Sequence, residues 1–431
     1  MLPSAPAGNV SGPGRLFSCC LPTPFPEPTE PLNLLKILLL TPTPPDHLHR
    51  IRALQILKAL AREHAVSVLT FVRNKQDLEK CEAIRDYCEA VHWVPFSLPR
   101  ALINCALALP TPLPLRVAYQ RSPAMRRKLH ELVRNESYDL IYVKRKRMAQ
   151  YVWQMKTPPR RILDLTDAVA LYYKRSLETV DWLRYPIHYE EYVTIRRYEP
   201  KILRYFDRAV VCSQVDADFL ENEAGEPLDN LRVIPNVVDT DFYRSHASPP
   251  DTREPVLLFS GLMDKHVNVD AARYLVEEIY PTIHEQCPNV RLYIVGPRPV
   301  PEVRALERAP GVIVTGYVDD LRSYIEKASV VLCPVKVGAG TRNKILQAMS
   351  MQRSVVSTPL GAEGLAFETD RDLLIASDAT DFARQTLRLL NDPDLAATLA
   401  SRGRALVQRC YSIDLLATSL GELFAEIGHR T

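Results

Sequence analysis

Short apolar runs rich in branched side chains recur along this chain, each followed by a turn and a segment of helical periodicity. That alternation narrows the possible folds more than any other feature. The first run is Lys36–Leu40 (KILLL); it leads through a Pro-rich loop holding Asp46, His47 and His49 into a helix predicted from about Leu48 to His64, then into a second run, Val66–Phe71. Strand, loop, helix, strand at this spacing is a βαβ unit, almost always right-handed, and it predicts parallel strands. The series continues through Val91–Pro95, Leu140–Val143, Arg161–Leu165, Ala209–Cys212 and Leu231–Ile234. Residues 245–254 (SHASPPDTRE) have linker composition, after which a second series begins with Pro255–Ser260, a helix from about Asn268 to Gln286, and Arg291–Val295. Val312–Thr315, Val330–Cys333, Val355–Ser357 and Leu373–Ile375 follow, and the chain closes on helices over about Asp378–Leu390, Pro393–Cys410 and Ile413–Ile427. Ligands of parallel sheets bind beyond the carboxyl ends of the strands, so the candidate residues are sought there.

With 431 residues the chain is long enough for two or three domains, and a net charge of +3 is too small to argue for nucleic-acid binding. It holds no apolar run long enough to span a membrane. Residues 1–33, rich in Pro, Gly, Ser and Thr, read as a disordered tail and not as a signal peptide. Nine scattered cysteines without a Cys-x-x-Cys pair read as reduced thiols of a cytoplasmic protein, with no metal or disulfide frame. Asp216-Ala-Asp218 and Asp370-Arg-Asp372 match the text of a metal-binding D-x-D but lack its context.

Val330–Leu365 carries the clearest chemistry. Its strand runs into a turn with Gly338 and Gly340, which lack a Cβ and let the backbone approach a ligand. The helix predicted over Asn343–Met351 then has Arg342 and Lys344 at its start, where the helix dipole already presents positive charge. Two cations there suit an anion, most simply a phosphate group; the plainer reading is a pair of solvated side chains. GAGTRN is not a dinucleotide fingerprint, because Asn343 replaces the third Gly.

This stretch resembles the donor-binding segment of the group 1 (family 4) glycosyltransferases. That segment ends E-A-M-A-x-G-x-P-V-V, against Gln347-Ala-Met-Ser-Met-Gln-Arg-Ser-Val-Val356 here, and its G-x-G-T-R-x-K turn matches Gly338–Lys344. Val233–Asp239 (VIPNVVD) resembles the family's hinge, and Gly261 ends a strand as the family's F-x-G does. The resemblance implies a GT-B fold, two Rossmann-like parallel-sheet domains facing across a cleft. An acceptor domain would span 34–240 and a donor domain 241–411, with a final helix, 412–431, crossing back. It implies a retaining, metal-independent transfer of a sugar from a nucleoside-diphosphate sugar, the co-substrate in place of any cofactor, to a saccharide or lipid-linked acceptor in polysaccharide or glycolipid assembly. Lys344, Arg342 and Lys265 would stabilise the departing diphosphate. Gly261, Gly340, Thr341 and Gln347 would hold the donor, and Glu363 would meet its sugar or nucleotide. Gln347 and Ala339 stand where many members have glutamates. A nucleotide-sugar epimerase or a non-catalytic partner subunit on the same fold are the alternatives.

On the acceptor side, His47 is a candidate base or a ligand for a phosphate or acceptor hydroxyl, the plainer reading being a solvated loop histidine. Arg147, Asp164 and Asp167 echo R-M-A-x-Y and D-x-x-D-A patterns of related polysaccharide-building transferases, the alternative being a structural buried ion pair. Lys144–Arg147 (KRKR) directly follows a strand and reads as an anion-facing loop. Ser97–Ala118 is apolar, Pro-broken and flanked by Arg100 and Arg116, suited to peripheral contact with the inner membrane's cytoplasmic face or to a lipid-linked acceptor; a packed connecting helix and loop is the plainer reading. The aromatic residues between Tyr172 and Tyr205 read first as helix packing.

Overall fold

In the computed structural model the described residues are 34–46, 51–245 and 254–428. The tail reading of 1–33, His47 and most of the linker fall outside them. Two parallel sheets form the framework. The first joins β1 (Lys36–Leu40), β2 (Ala65–Val72), β3 (Ala90–Pro95), β4 (Leu140–Lys144), β5 (Arg160–Thr166), β6 (Arg208–Val211) and β7 (Leu231–Val233) in the order β3-β2-β1-β4-β5-β6-β7. The second joins β8 (Val256–Ser260), β9 (Arg291–Val295), β10 (Val312–Gly316), β11 (Val330–Cys333), β12 (Ser354–Ser357) and β13 (Leu374–Ile375) in the order β10-β9-β8-β11-β12-β13. In each sheet the strand order reverses beside the first strand of the series, and a ligand crevice opens at such a switch point. The two sheets are the two Rossmann-like halves that the resemblance implied.

Burial on both faces explains why the strands are continuously apolar. In β1, Ile37 and Leu39 point to one side and Leu38 and Leu40 to the other, and all four are fully buried. The face bearing Ile37 and Leu39 is covered by the last helix, Ile413–Gly428, through Leu416, Leu420, Leu423 and Ile427. That spacing is a helical stripe. The chain reaches it beside the hinge, where the Val238 N–H donates to the Tyr411 carbonyl over 2.8 Å. The second sheet is buried in a cluster of its own.

One predicted helix differs in kind. Asn268–Gln286 reads as continuous, but the structure has an α-helix over His266–Tyr274, a π turn over Leu275–Ile279 and an α-helix over Tyr280–Gln286. Pro281 has no N–H for the preceding turn to use, and a π turn accommodates the lost bond.

Candidate active site

A cleft of about 780 Å³ opens where the carboxyl ends of the two sheets meet. One wall is the segment that follows β11. Gly338 and Gly340 take φ of 141° and 74° there. A Cβ on Gly340 would lie 2.0 Å from Oδ1 of Asp167, so only glycine lets this loop reach the opposite half. The helix that follows, Asn343–Ser350, points its N-terminus into the cleft and is capped by no side chain.

Lys344 enters the cleft with little to neutralise it. Its ammonium lies over the Phe259 ring at 4.1 Å and donates to Oδ1 of Asn268 over 3.2 Å. Among the described residues no carboxylate pairs with it. Burial, with Arg342 nearby, pulls its pKa down to about 8. Arg342 donates through Nη1 to the Ala339 carbonyl over 2.7 Å, while its buried Nε–H has no acceptor. A free helix N-terminus, an ammonium without a carboxylate partner and an unused guanidinium N–H together make a candidate anion site.

Other candidate donor residues fall around it. Gly261 is tight against Asn268, with room for no Cβ; that amide donates to the Leu262 carbonyl over 3.0 Å and accepts from Lys344. Thr341 Oγ1 accepts from Asn236 Nδ2 over 2.8 Å. The Gln347 amide donates to the Tyr243 hydroxyl over 2.9 Å and lines the cleft. Lys265 stands at the rim, its side chain 59 % exposed and 3.9 Å from Asp264.

Three readings of the sequence need correction. Glu363 is not among the residues lining the cleft: Arg175 grips it through two bonds of 2.7 and 2.9 Å and donates to the Gly338 carbonyl over 2.8 Å. Asp164 is fully buried under the cleft floor, between Arg52 (3.1 Å) and Lys144 (2.8 Å), with the Tyr142 hydroxyl at 3.1 Å. Burial alone would raise its pKa; the two cations overcome this and hold it well below the usual carboxylate range. Nor is KRKR a uniform anion-facing loop. Lys144 and Lys146 turn inward to Asp164 and Glu199, because strand and helix geometry sends alternate side chains to the core. Arg145 alone of the four lines the cleft, 3.2 Å from Asp167, whereas Arg147 does not reach it.

Arg145 sits on strained backbone, and Asp167 directly follows a strained residue. Arg145 has φ 71°, and Thr166, just before Asp167, has φ 73°. Both lie at the ends of adjacent strands, where β5 also bulges against β6 between Asp164 and Thr166. Non-glycine residues hold such angles at a cost of about 1–3 kcal/mol, and such residues cluster at functional sites. From beneath, Arg52 donates to Asp164, to the Ile234 and Pro235 carbonyls and to Oδ1 of Asn236, and Asn236 then donates to Thr341. One hydrogen-bonded chain thus ties the floor of the first half to the glycine turn of the second. Sequence reasoning missed Arg175 and Asn236, and it reached Arg145 only as one of the four residues of KRKR, through the strand-end rule.

A second hollow, of about 600 Å³, lies beside the hinge; its lysine and its arginine are already paired, Lys58 with Asp239 and Arg62 with Asp414.

Comparison with known proteins agrees with this geometry. Residues 254–392 match the family described as "Glycosyl transferases group 1", and residues 50–242 match "Glycosyltransferase Family 4". A Klebsiella pneumoniae protein described as an uncharacterized 44.6 kDa protein in cps region is 21% identical over 395 residues, 88% of this chain and 96% of that one. Among solved structures, sucrose-phosphate synthase from Thermosynechococcus elongatus superposes with a TM-score of 0.70 at 17% identity, covering 92% of this chain and all of that one. Anabaena HepE in complex with UDP and glucose superposes with a TM-score of 0.65 at 17% identity, covering 91% and 99%. The two family matches, on two Rossmann-like sheets that share this cleft, establish that the chain belongs to the group 1 glycosyltransferases.

Proposed function

We propose that this glycosyltransferase moves a sugar, with retention at the anomeric carbon, from a nucleoside-diphosphate sugar to an acceptor hydroxyl in polysaccharide or glycolipid assembly. The observation that carries the donor assignment is the uncapped N-terminus of helix Asn343–Ser350 beside an unpaired Lys344 and the unused Nε–H of Arg342. Breaking a bond at an anomeric carbon gives an oxocarbenium-like transition state. Negative charge then builds on the departing diphosphate, and donors already aimed at that position are often the largest catalytic contribution. Lys344 and Arg342 take that role, with Lys265 at the rim. Gly261, Gly340 and Thr341 shape the loop, and Gln347, held by Tyr243, orients the ribose. On the acceptor side Arg145 and Asp167 face the same cleft. HepE, whose structure contains UDP and glucose, and the Klebsiella protein of a cps region support the reading.

A thermal-shift series with UDP, GDP, ADP and dTDP tests it. A nucleotide at a hundred times its dissociation constant stabilises the fold by roughly 2.7 kcal/mol. One base is expected to give a clear shift; no shift with any of the four, or with their sugar conjugates, rejects the donor assignment. Because Lys344 and Arg342 supply the neutralising charge, activity is expected to persist in excess EDTA, and a loss restored by a divalent cation contradicts that part.

Arg175 binds no substrate in this reading but holds the glycine loop through the Gly338 carbonyl. Arg175→Ala is expected to raise KM for the donor about 3- to 10-fold, the scale of a charge-assisted bond. The kcat should change little, and the melting temperature should barely move, as this pair is partly exposed. An unchanged KM rules that role out.

A further inference from the structure

Helix Leu98–Ala108 leaves half of its circumference uncovered, and that half is apolar. Ala101 and Ala108 face inward, while Leu98, Leu102, Ile103 and Leu107 stand outward, Leu107 70 % exposed, with Leu109 just beyond. Arg100 is the helix's one charged residue. A second uncovered group follows in the chain at Trp182 (81 % exposed), Leu183, Tyr185, Ile187 and Tyr189. The two groups adjoin. Cys105 of the first helix donates through Sγ to the Leu115 carbonyl over 3.6 Å, and Arg116, the next residue, lies 3.9 Å from Glu191 on the helix Tyr185–Leu203, which carries Tyr185, Ile187 and Tyr189. Arg116 also lines the cleft, so this face runs up to its mouth.

Positive charge is concentrated in the stretch of chain that carries the first group. Between Ser97 and Asn135 the chain carries seven Arg and Lys residues against one acid, Glu131, although the whole protein is only +3. Glu131 is matched by Lys128 and Arg116 by Glu191, which leaves the exposed arginines 100, 121, 126, 127 and 134 in excess.

We propose that this face docks on an anionic lipid bilayer. Leucine and isoleucine enter the acyl boundary, Trp182, Tyr185 and Tyr189 lie at headgroup depth where amphipathic aromatic rings are favoured, and the arginines meet lipid phosphates. A second copy of this chain is the poorer occupant. Across a two-fold axis like meets like, so the same excess of cations would face itself. Among the described residues no helix is long and apolar enough to cross a membrane, so the contact lies at the surface. Taken with the transferase reading, on which this last step rests, the acceptor is lipid-linked and reaches the cleft past Arg116.

The test floats the full chain, without nucleotide sugar, on vesicles of phosphatidylcholine alone and of phosphatidylcholine with roughly one third phosphatidylglycerol. Binding is expected to the anionic vesicles and not the neutral ones, with release at roughly 0.5 M salt. The double variant Leu102→Asp with Leu107→Asp, both exposed, should keep its melting temperature and its nucleotide shift but bind about tenfold or more weakly. No binding to anionic vesicles, or equal binding by the double variant, overturns the proposal. So does a dimer in sedimentation that the double variant dissolves, which would assign the face to a second copy. Vesicle binding without any nucleotide shift would leave this surface standing and remove the donor reading instead.

Discussion

Replacement of Lys344 by Ala is expected to leave a folded protein that no longer binds a nucleoside diphosphate. Among the described residues this ammonium has no carboxylate partner, and it is held at a pKa of about 8, against 10.5 for an ordinary lysine. The charge is costly until an anion arrives, so its removal deletes a ligand contact without opening a structural pair. We expect kcat/KM to fall by roughly 10²–10³, the loss seen when one preorganised donor to a developing anion is removed. Two pH effects accompany it. The unfolded chain binds this proton more tightly than the folded one between about pH 8 and 10.5, so this residue's contribution to stability rises with pH across that window, and the variant loses that rise. Donor affinity in the parent protein should be greatest below about pH 8 and weaken above it as the ammonium empties. Calorimetry against the nucleotide that binds the parent decides the matter: unchanged affinity in Lys344→Ala means that the phosphate lies elsewhere.

The second large effect is on stability. Asp164→Ala leaves Arg52 and Lys144 buried without their shared carboxylate, and breaking a buried pair from one side costs about 3–5 kcal/mol. Arg52 also braces Asn236 and through it Thr341, so the loss reaches the glycine turn. We expect a melting temperature several degrees lower, with Asp164→Asn intermediate because it keeps acceptor and shape but not charge. The carboxyl titrates well below its unfolded value of 3.8, so this part of the stability is fully present above about pH 4 and is lost only as pH falls further. Asp167→Asn is the contrast. Its carboxylate faces the cleft, so kinetics should change with little shift in melting. If Asp164→Ala melts with the parent but loses activity, Asp164 acts in the cleft and not beneath it.

How far the sequence reaches can be seen from such pairs. Every strand predicted from an apolar run is present within a residue or two at each end, because a strand buried on both faces must be apolar throughout. The turn at Gly338 and Gly340 was legible for a local reason, the absence of a Cβ where the backbone goes left-handed. The cations at the following helix start were legible because both are set by position along a single element. The acceptor side was less so. The pattern singled out Arg147, Asp164 and Asp167; the folded chain keeps Asp167 in the cleft, sets Arg145 beside it in place of Arg147, and seals Asp164 below them.

The sequence by itself determined the two series of parallel strands, the helix and glycine turn that carry the candidate anion site, and the family. Apolar periodicity, glycine freedom and helix polarity are properties of neighbouring residues. The tertiary structure alone decided which charges are spent on one another. Arg175 and Glu363 lie 188 residues apart, and Arg52 and Asp164 lie 112 apart. Whether such a cation meets a carboxylate of its own chain or is left for a ligand depends on distances of a few ångströms in the folded molecule, where Coulomb attraction and desolvation nearly cancel.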